Sequence, residues 1–253
     1  MRPMVIMIGI FALCYLITPV IAQDSEKSQE FVSDENFKYT EWKLSDITLV
    51  VISIKPNAFK FVVAYSNPPK TVQEFHEAAQ GCILTINGGY WDDDYKPTDL
   101  CISNGKLIKG INKANGHYGL FAVTKNNRVI LRDLHEKSLA EGELNTFQQA
   151  IKSGPHVIRN RKPIFNKSSK TIHQRSIIGR DNQGRIIIVQ TRTGRATYDR
   201  MAELLSRPEL GIVNAFNLDG GPSTGFYLTY KDRVIQKMSW PISSVIQVFP
   251  ENP

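Results

Sequence analysis

Short β-branched and aromatic runs, each cut off within a few residues by a turn, set the rhythm of this chain and predict a fold built on sheets. Residues 47–54 (Ile-Thr-Leu-Val-Val-Ile-Ser-Ile) pass through Lys55-Pro56-Asn57 into a second run, Phe59 to Tyr65, the pattern of a hairpin. Leu100 to Ser103 and Lys106 to Ile108 flank Asn104-Gly105, a pair that tolerates the positive φ of a tight turn. Leu120 to Thr124, Asn126-Asn127 and Arg128 to Leu131 repeat the design. Further strands are expected at 82–86, 155–159, 176–179, 185–190, 212–218, 226–229 and 245–249.

Helical signals are fewer. Thr71-Val72-Gln73-Glu74 has capping-box form, so a helix starts there and runs to about Gln80, where Gly81 ends it. Asp199 to Ser206 carries Met201, Leu204 and Leu205 at helical spacing, a core-facing stripe stopped by Pro208. Glu141 to Lys152 is read as a third helix. With about ten strands, three or four helices and no strict alternation, the expected class is α+β. That means one domain, with a mixed, largely antiparallel β-sheet system and a few packed helices.

Arg2 followed by an almost wholly apolar stretch from Met4 to Val20, then Ile21-Ala22, reads as a secretory signal peptide cleaved after Ala22. An uncleaved anchor is the competing reading, because the stretch is near the length of a bilayer span. Thr18-Pro19 fits a cleavage region better. Residues 1–22 are then the signal, the polar residues 23–36 a flexible leader, and 37–253 the folded domain. The protein is expected to be exported, periplasmic or secreted, meeting a membrane only through the uncleaved signal.

The net charge of +7 invites anionic partners. The basic residues are scattered, however, and nucleic-acid binding would rest on charge alone against an export signal. No nucleic-acid partner is expected. Without the signal, Cys82 and Cys101 remain. An oxidising compartment favours a disulfide between them, which the chain-entropy model values at about 3 kcal/mol; two separate buried thiols are the alternative. No Cys or His pair has zinc-ligand spacing, and no metal or other cofactor is expected.

Two places share one design, a short apolar strand delivering a polar residue into a double-glycine turn. Cys82-Ile83-Leu84-Thr85-Ile86 runs into Asn87-Gly88-Gly89, and Ala215-Phe216 into Asn217-Leu218-Asp219-Gly220-Gly221. Glycine pairs mark unusual φ, a tight turn or backbone close to a ligand, and a strand end holds the flanking Asn or Asp on a rigid element. Each turn by itself is also compatible with an ordinary loop.

Asn87-Gly88-Gly89-Tyr90-Trp91, Asp99 to Lys106, Ser153-Gly154-Pro155, Arg175 to Gly179 and Asn217 to Thr224 together resemble the phosphodiester glycosidase family in order and spacing. Where that family usually has a third glycine this chain has Pro222, and it has Tyr90-Trp91 where Phe is more common. The resemblance implies cleavage of the bond between a sugar's anomeric carbon and a phosphodiester oxygen, so the expected partner is a carbohydrate phosphodiester. The task is then to neutralise phosphate, steady an oxocarbenium-like centre and supply water.

Arg175 suits the phosphate, because a guanidinium can hold two oxygens at once. Asp219 suits a base or a stabiliser of positive charge, against a purely structural role in its turn. Asp92, from Asp92-Asp93-Asp94, is the candidate for a second catalytic carboxylate, against a solvated acidic loop. Substrate-binding roles fall to Asn87, Gly88, Gly89, Asn217, Gly220, Gly221, Ser223 and Thr224. His156 and His173 flank the middle motif, and neither is assigned to catalysis. Asn166-Lys167-Ser168 would accept a glycan in a eukaryotic source. The rival to a secreted hydrolase is an exported protein that binds a glycan or phosphopolymer without cleaving it.

Overall fold

The computed structural model describes residues 27–165 and 170–251. The signal peptide at 1–22 and the Asn166-Lys167-Ser168 acceptor lie outside these residues. Among the described residues, eighteen strands form three sheets, and their pairings are antiparallel.

The largest sheet has eight strands, in the order β1 (Lys27–Ser33), β2 (Phe37–Lys43), β3 (Thr48–Ile54), β14 (Ile186–Thr193), β13 (Ser176–Asp181), β15 (Ile212–Asn217), β11 (His156–Arg159) and β12 (Lys162–Pro163). β1 lies inside the stretch 23–36 that the sequence suggested as a loose leader, and pairs with β2. A second sheet orders β7 (Lys106–Lys109), β6 (Cys101–Ser103), β10 (Phe147–Ser153), β8 (Gly119–Thr124) and β9 (Val129–Asp133). The third orders β17 (Arg233–Lys237), β16 (Phe226–Tyr230), β5 (Leu84–Asn87), β18 (Ile242–Pro250) and β4 (Phe59–Lys70).

The core follows from the two-residue period of a strand. In β14, Ile186 and Ile188 join the central cluster between the sheets, whereas Ile187 and Val189 face the opposite way. β3 divides likewise, Val50, Ile52 and Ile54 against Leu49 and Val51. Both faces of this sheet are covered, which is why its central strands read as unbroken apolar runs. Phe61 and Leu84 from the third sheet and Phe121 and Ile151 from the second close the central cluster.

The outer cluster is capped by α2 (Tyr198–Leu205), whose Met201, Leu204 and Leu205 are buried. Each such side chain stabilises the fold by about 1.5–3 kcal/mol. Thr197 caps the helix by accepting from the amide of Arg200.

The α+β expectation is corrected by this architecture: the molecule is a sandwich of antiparallel sheets. Among the described residues there are two α-helices, α1 (Val72–Glu77) of six residues and α2 of eight. The capping box is present, with Thr71 and Glu74 bonded reciprocally, but α1 stops short of Gln80. The third expected helix is absent, because 141–152 becomes a short 3-10 turn, Glu143–Thr146, followed by β10. Pairing on both sides overrides local helix propensity there, β8 on one edge and β6 on the other. Gln149 adds to this by accepting from the amides of Val63 and Asn104. No described helix is long and apolar enough to cross a membrane.

Candidate active site

β5 and β15 belong to different sheets, yet their glycine turns meet. The Asn87 side-chain amide donates to the Asp219 carbonyl at 2.8 Å, and the Asp219 amide donates to the Gly88 carbonyl at 3.0 Å. Gln190 donates both to the Asn87 side-chain oxygen, at 2.9 Å, and to Ser176, at 2.7 Å. Asn87 is therefore a fully buried strut, and its amide is not offered to a ligand.

The glycines carry a similar message. A Cβ on Gly88 would sit 2.9 Å from the Ser244 carbonyl oxygen, and one on Gly220 would sit 2.8 Å from that of Gln174. Gly221 has a φ of +59° and donates its amide to the same Gln174 carbonyl at 2.8 Å. At Gly88 and Gly220 the close approach is to protein backbone.

The turn from 219 to 222 forms one wall of a cavity of about 260 Å³, completed by Tyr90, Thr171, His173, Arg175 and Tyr198. Arg175 immediately precedes β13 and is 3% exposed. Its Nε donates to the Ala196 carbonyl at 2.9 Å and its Nη2 to that of Thr171 at 2.7 Å. The guanidinium carbon lies 3.7 Å from the centre of the Tyr198 ring. Burial lowers its pKa from the usual arginine value, and the two phenols oppose this; a guanidinium stays charged regardless. Asp219 is the one carboxyl on the described lining. Burial raises its pKa to about 6, while Ser223, the Gly220 amide and Trp91 pull the other way. A buried cation and a carboxyl titrating near neutrality on one cavity is the pattern of a reactive site.

Tyr90 is the hub of the wall. Its hydroxyl donates to the Gly154 carbonyl at 2.9 Å and accepts from Asn217 at 2.8 Å; it lies 3.4 Å from the Tyr198 hydroxyl. Its ring stacks on His117 with centroids 4.9 Å apart. Burial raises its pKa well above the usual tyrosine value, so it stays a neutral phenol.

Apart from His173, the remaining sequence candidates are placed off the cavity lining. Asp92 is exposed, and its carboxylate accepts from the amides of Asp94 and Lys96, at 3.1 and 2.9 Å, closing its own loop. A Cβ on Gly89 would sit 3.0 Å from the Ile151 side chain. Asn217 reaches the cavity through Tyr90, and Ser223 and Thr224 are buried behind the turn. His173 lines the cavity; His156 is buried against Phe216 and Asp133.

The expected disulfide is not formed. Cys82 and Cys101 are both free and buried, the first ahead of β5 and the second in β6 of another sheet. The Cys82 thiol donates to the Leu84 carbonyl at 3.2 Å, and Cys101 joins the central core.

Two surface grooves of about 440 and 460 Å³ run over the eight-stranded sheet near Lys38, Ser53 and Asp181, but neither gathers a glycine turn, a buried cation and a buried carboxyl. Tyr90 and Tyr198 are the residues sequence reasoning missed. Tyr90 stands inside a motif, directly after Gly89. For Tyr198, beyond the Thr197 cap, no local pattern signals a ring that reaches Arg175.

Residues 80–249 match the phosphodiester glycosidase family. Among curated proteins the chain is 26% identical over 173 residues to N-acetylglucosamine-1-phosphodiester alpha-N-acetylglucosaminidase of Bos taurus, covering 58% of this chain and 31% of that protein. With the Homo sapiens enzyme of the same name it is 27% identical over 183 residues, covering 62% and 34%. The chain thus matches about a third of the length of these relatives.

Among solved structures, the zebrafish catalytic domain of that enzyme, auto-inhibited by its pro-peptide, aligns with a TM-score of 0.61 at 20% identity. It covers 94% of this chain and 86% of its own. A hypothetical protein from Synechocystis aligns with a TM-score of 0.66 at 15% identity, covering 89% and 64%. At these identities the two structures speak to the fold.

Proposed function

The chain belongs to the phosphodiester glycosidase family, and from that premise we propose that it is an exported hydrolase that cleaves the bond between a sugar's anomeric carbon and a phosphodiester. Its substrate class is a sugar-1-phosphodiester of a glycan or envelope polymer. Water adds across the bond, giving a sugar hemiacetal and a phosphate monoester. The observation that carries the reading is that Asp219 and Arg175 open on the same cavity.

The Arg175 guanidinium takes the phosphate, with its plane already fixed by Ala196, Thr171 and Tyr198. Asp219, as its anion, steadies positive charge at the anomeric carbon or accepts a proton from the attacking water. A single lining carboxyl fits this leaving group, because a phosphate monoester departs as a stable anion and needs little help from a second acid. The signal-like residues 1–22 support a place outside the cytoplasm.

The methyl diester of N-acetylglucosamine 1-phosphate tests the proposal. Wild type is expected to release free sugar and methyl phosphate. Asp219→Asn and Arg175→Ala are each expected to lower turnover by about 100-fold or more while folding normally. Full turnover by both variants would discard the roles. Binding without release by wild type would leave a glycan- or phosphopolymer-binding protein.

A further inference from the structure

Tyr90 has one proton, and its place is fixed by what surrounds it. The Gly154 carbonyl, 2.9 Å away, can only accept. The Asn217 side-chain nitrogen, 2.8 Å away, can only donate, and it also points at the Leu218 carbonyl. In the 3.4 Å contact between the two phenols, the donor is therefore Tyr198. That leaves the Tyr198 oxygen as an acceptor on a cavity it shares with Arg175 and Asp219, one lone pair met by the Arg175 side chain and the second open to a ligand donor. Its ring, meanwhile, is the platform under the Arg175 guanidinium, at 3.7 Å. The segment from Ala196 to Tyr198 thus holds Arg175 by edge and by face.

Resting on the phosphodiester reading above, we propose that Tyr198 is a specificity-determining residue with two separable roles. Its ring positions Arg175 for the phosphate, and its hydroxyl accepts a hydrogen bond from an O–H or N–H of the attached sugar. The Tyr90–Tyr198 contact is longer than an ordinary hydroxyl pair, so a ligand meets a hydroxyl that is oriented but loosely held. Tyr90 serves as a positioning residue, because its own proton is committed to Gly154. Neither phenol was assigned a role from the sequence.

Titration calorimetry of the full chain with inorganic phosphate and with N-acetylglucosamine 1-phosphate, on wild type, Tyr198→Phe and Tyr198→Leu, separates the roles. Wild type is expected to bind the sugar phosphate more tightly than phosphate. Tyr198→Phe should weaken the sugar phosphate by about 3- to 10-fold, as loss of one neutral hydrogen bond does, and leave phosphate within about 2-fold. Tyr198→Leu, which removes the platform, should weaken both. In turnover of the methyl diester, Tyr198→Phe should raise KM and leave kcat near wild type.

Wild-type binding of both ligands by Tyr198→Phe overturns the hydroxyl's role. Equal weakening of both by that variant overturns its assignment to the sugar, since the hydroxyl would then face phosphate. Either result stands apart from failure of the parent reading, which appears as wild type binding neither ligand and takes this inference with it. Tyr198→Phe keeps the ring and its packing, so the hydroxyl's role is tested even if Tyr198→Leu does not fold.

Discussion

Asn87 and Asp219 stand 132 residues apart and are joined by a 2.8 Å hydrogen bond from the side-chain amide of one to the backbone carbonyl of the other. The bond sets the turn after β15 against the turn after β5, and so sets the direction in which the Asp219 carboxyl leaves the backbone. Asn87 acts on the site by holding Asp219 in place.

Asn87→Ala should therefore lose stability and turnover together. It leaves the Asp219 carbonyl without its side-chain donor and takes one acceptor from Gln190, which keeps Ser176 and the Gly225 carbonyl, a cost of about 1–3 kcal/mol. In a chain of this size that lowers Tm by about 2–10 °C. Thermal melts run beside the diester assay check it. A variant with wild-type Tm and no turnover would show that Asn87 touches substrate after all.

Asp92→Ala should leave turnover unchanged. The carboxylate is exposed and occupied with two amides of its own loop, and it is absent from the cavity lining. Losing those bonds costs about 1 kcal/mol or less at an exposed position. A large fall in kcat with an unchanged melt would return Asp92 to the catalytic set.

The glycine turns were legible because short-range chemistry dictates them, a strand end followed by backbone that tolerates no Cβ. The capping box at Thr71 and the apolar stripe of α2 were legible for the same reason. What failed was the balance of helix to strand, and the clearest case is 147–153. Helix-compatible residues there are claimed by two neighbouring strands and by the Gln149 side-chain bonds, partners 45 and 86 residues away in the chain. The role of Asn87 was misread in the same way. Its sequence neighbours mark it as special, but only Gln190 and Asp219, brought in by the fold, decide that its side chain points inward.

Reducing agent should leave Tm where it is. A bridge between Cys82 and Cys101 would contribute about 3 kcal/mol and its loss would be plain in a melt. The two thiols are instead buried apart, and burial raises both, Cys101 to about 12. They should resist alkylation in the folded chain and react on denaturation. A lower Tm under reductant, or mass spectrometry showing a linked peptide pair, would reinstate the disulfide.

Asp219 ties pH to stability and to rate with opposite signs. Its folded pKa of about 6 lies above the ordinary 3.8 because burial penalises the anion. Between those values the folded state binds more protons than the unfolded state, so stability falls as pH rises. The contribution is complete below about pH 4 and is lost through about pH 6, where a shift of roughly two units corresponds to about 3 kcal/mol. Asp219→Asn cannot titrate, so its stability relative to wild type should improve from pH 4 to pH 7.5. Turnover runs the other way, because the anion is the working form, and kcat/KM should rise with pH through about 6. A kcat/KM that instead falls across that range would make the protonated carboxyl the active species, and Asp219 a proton donor to the leaving group.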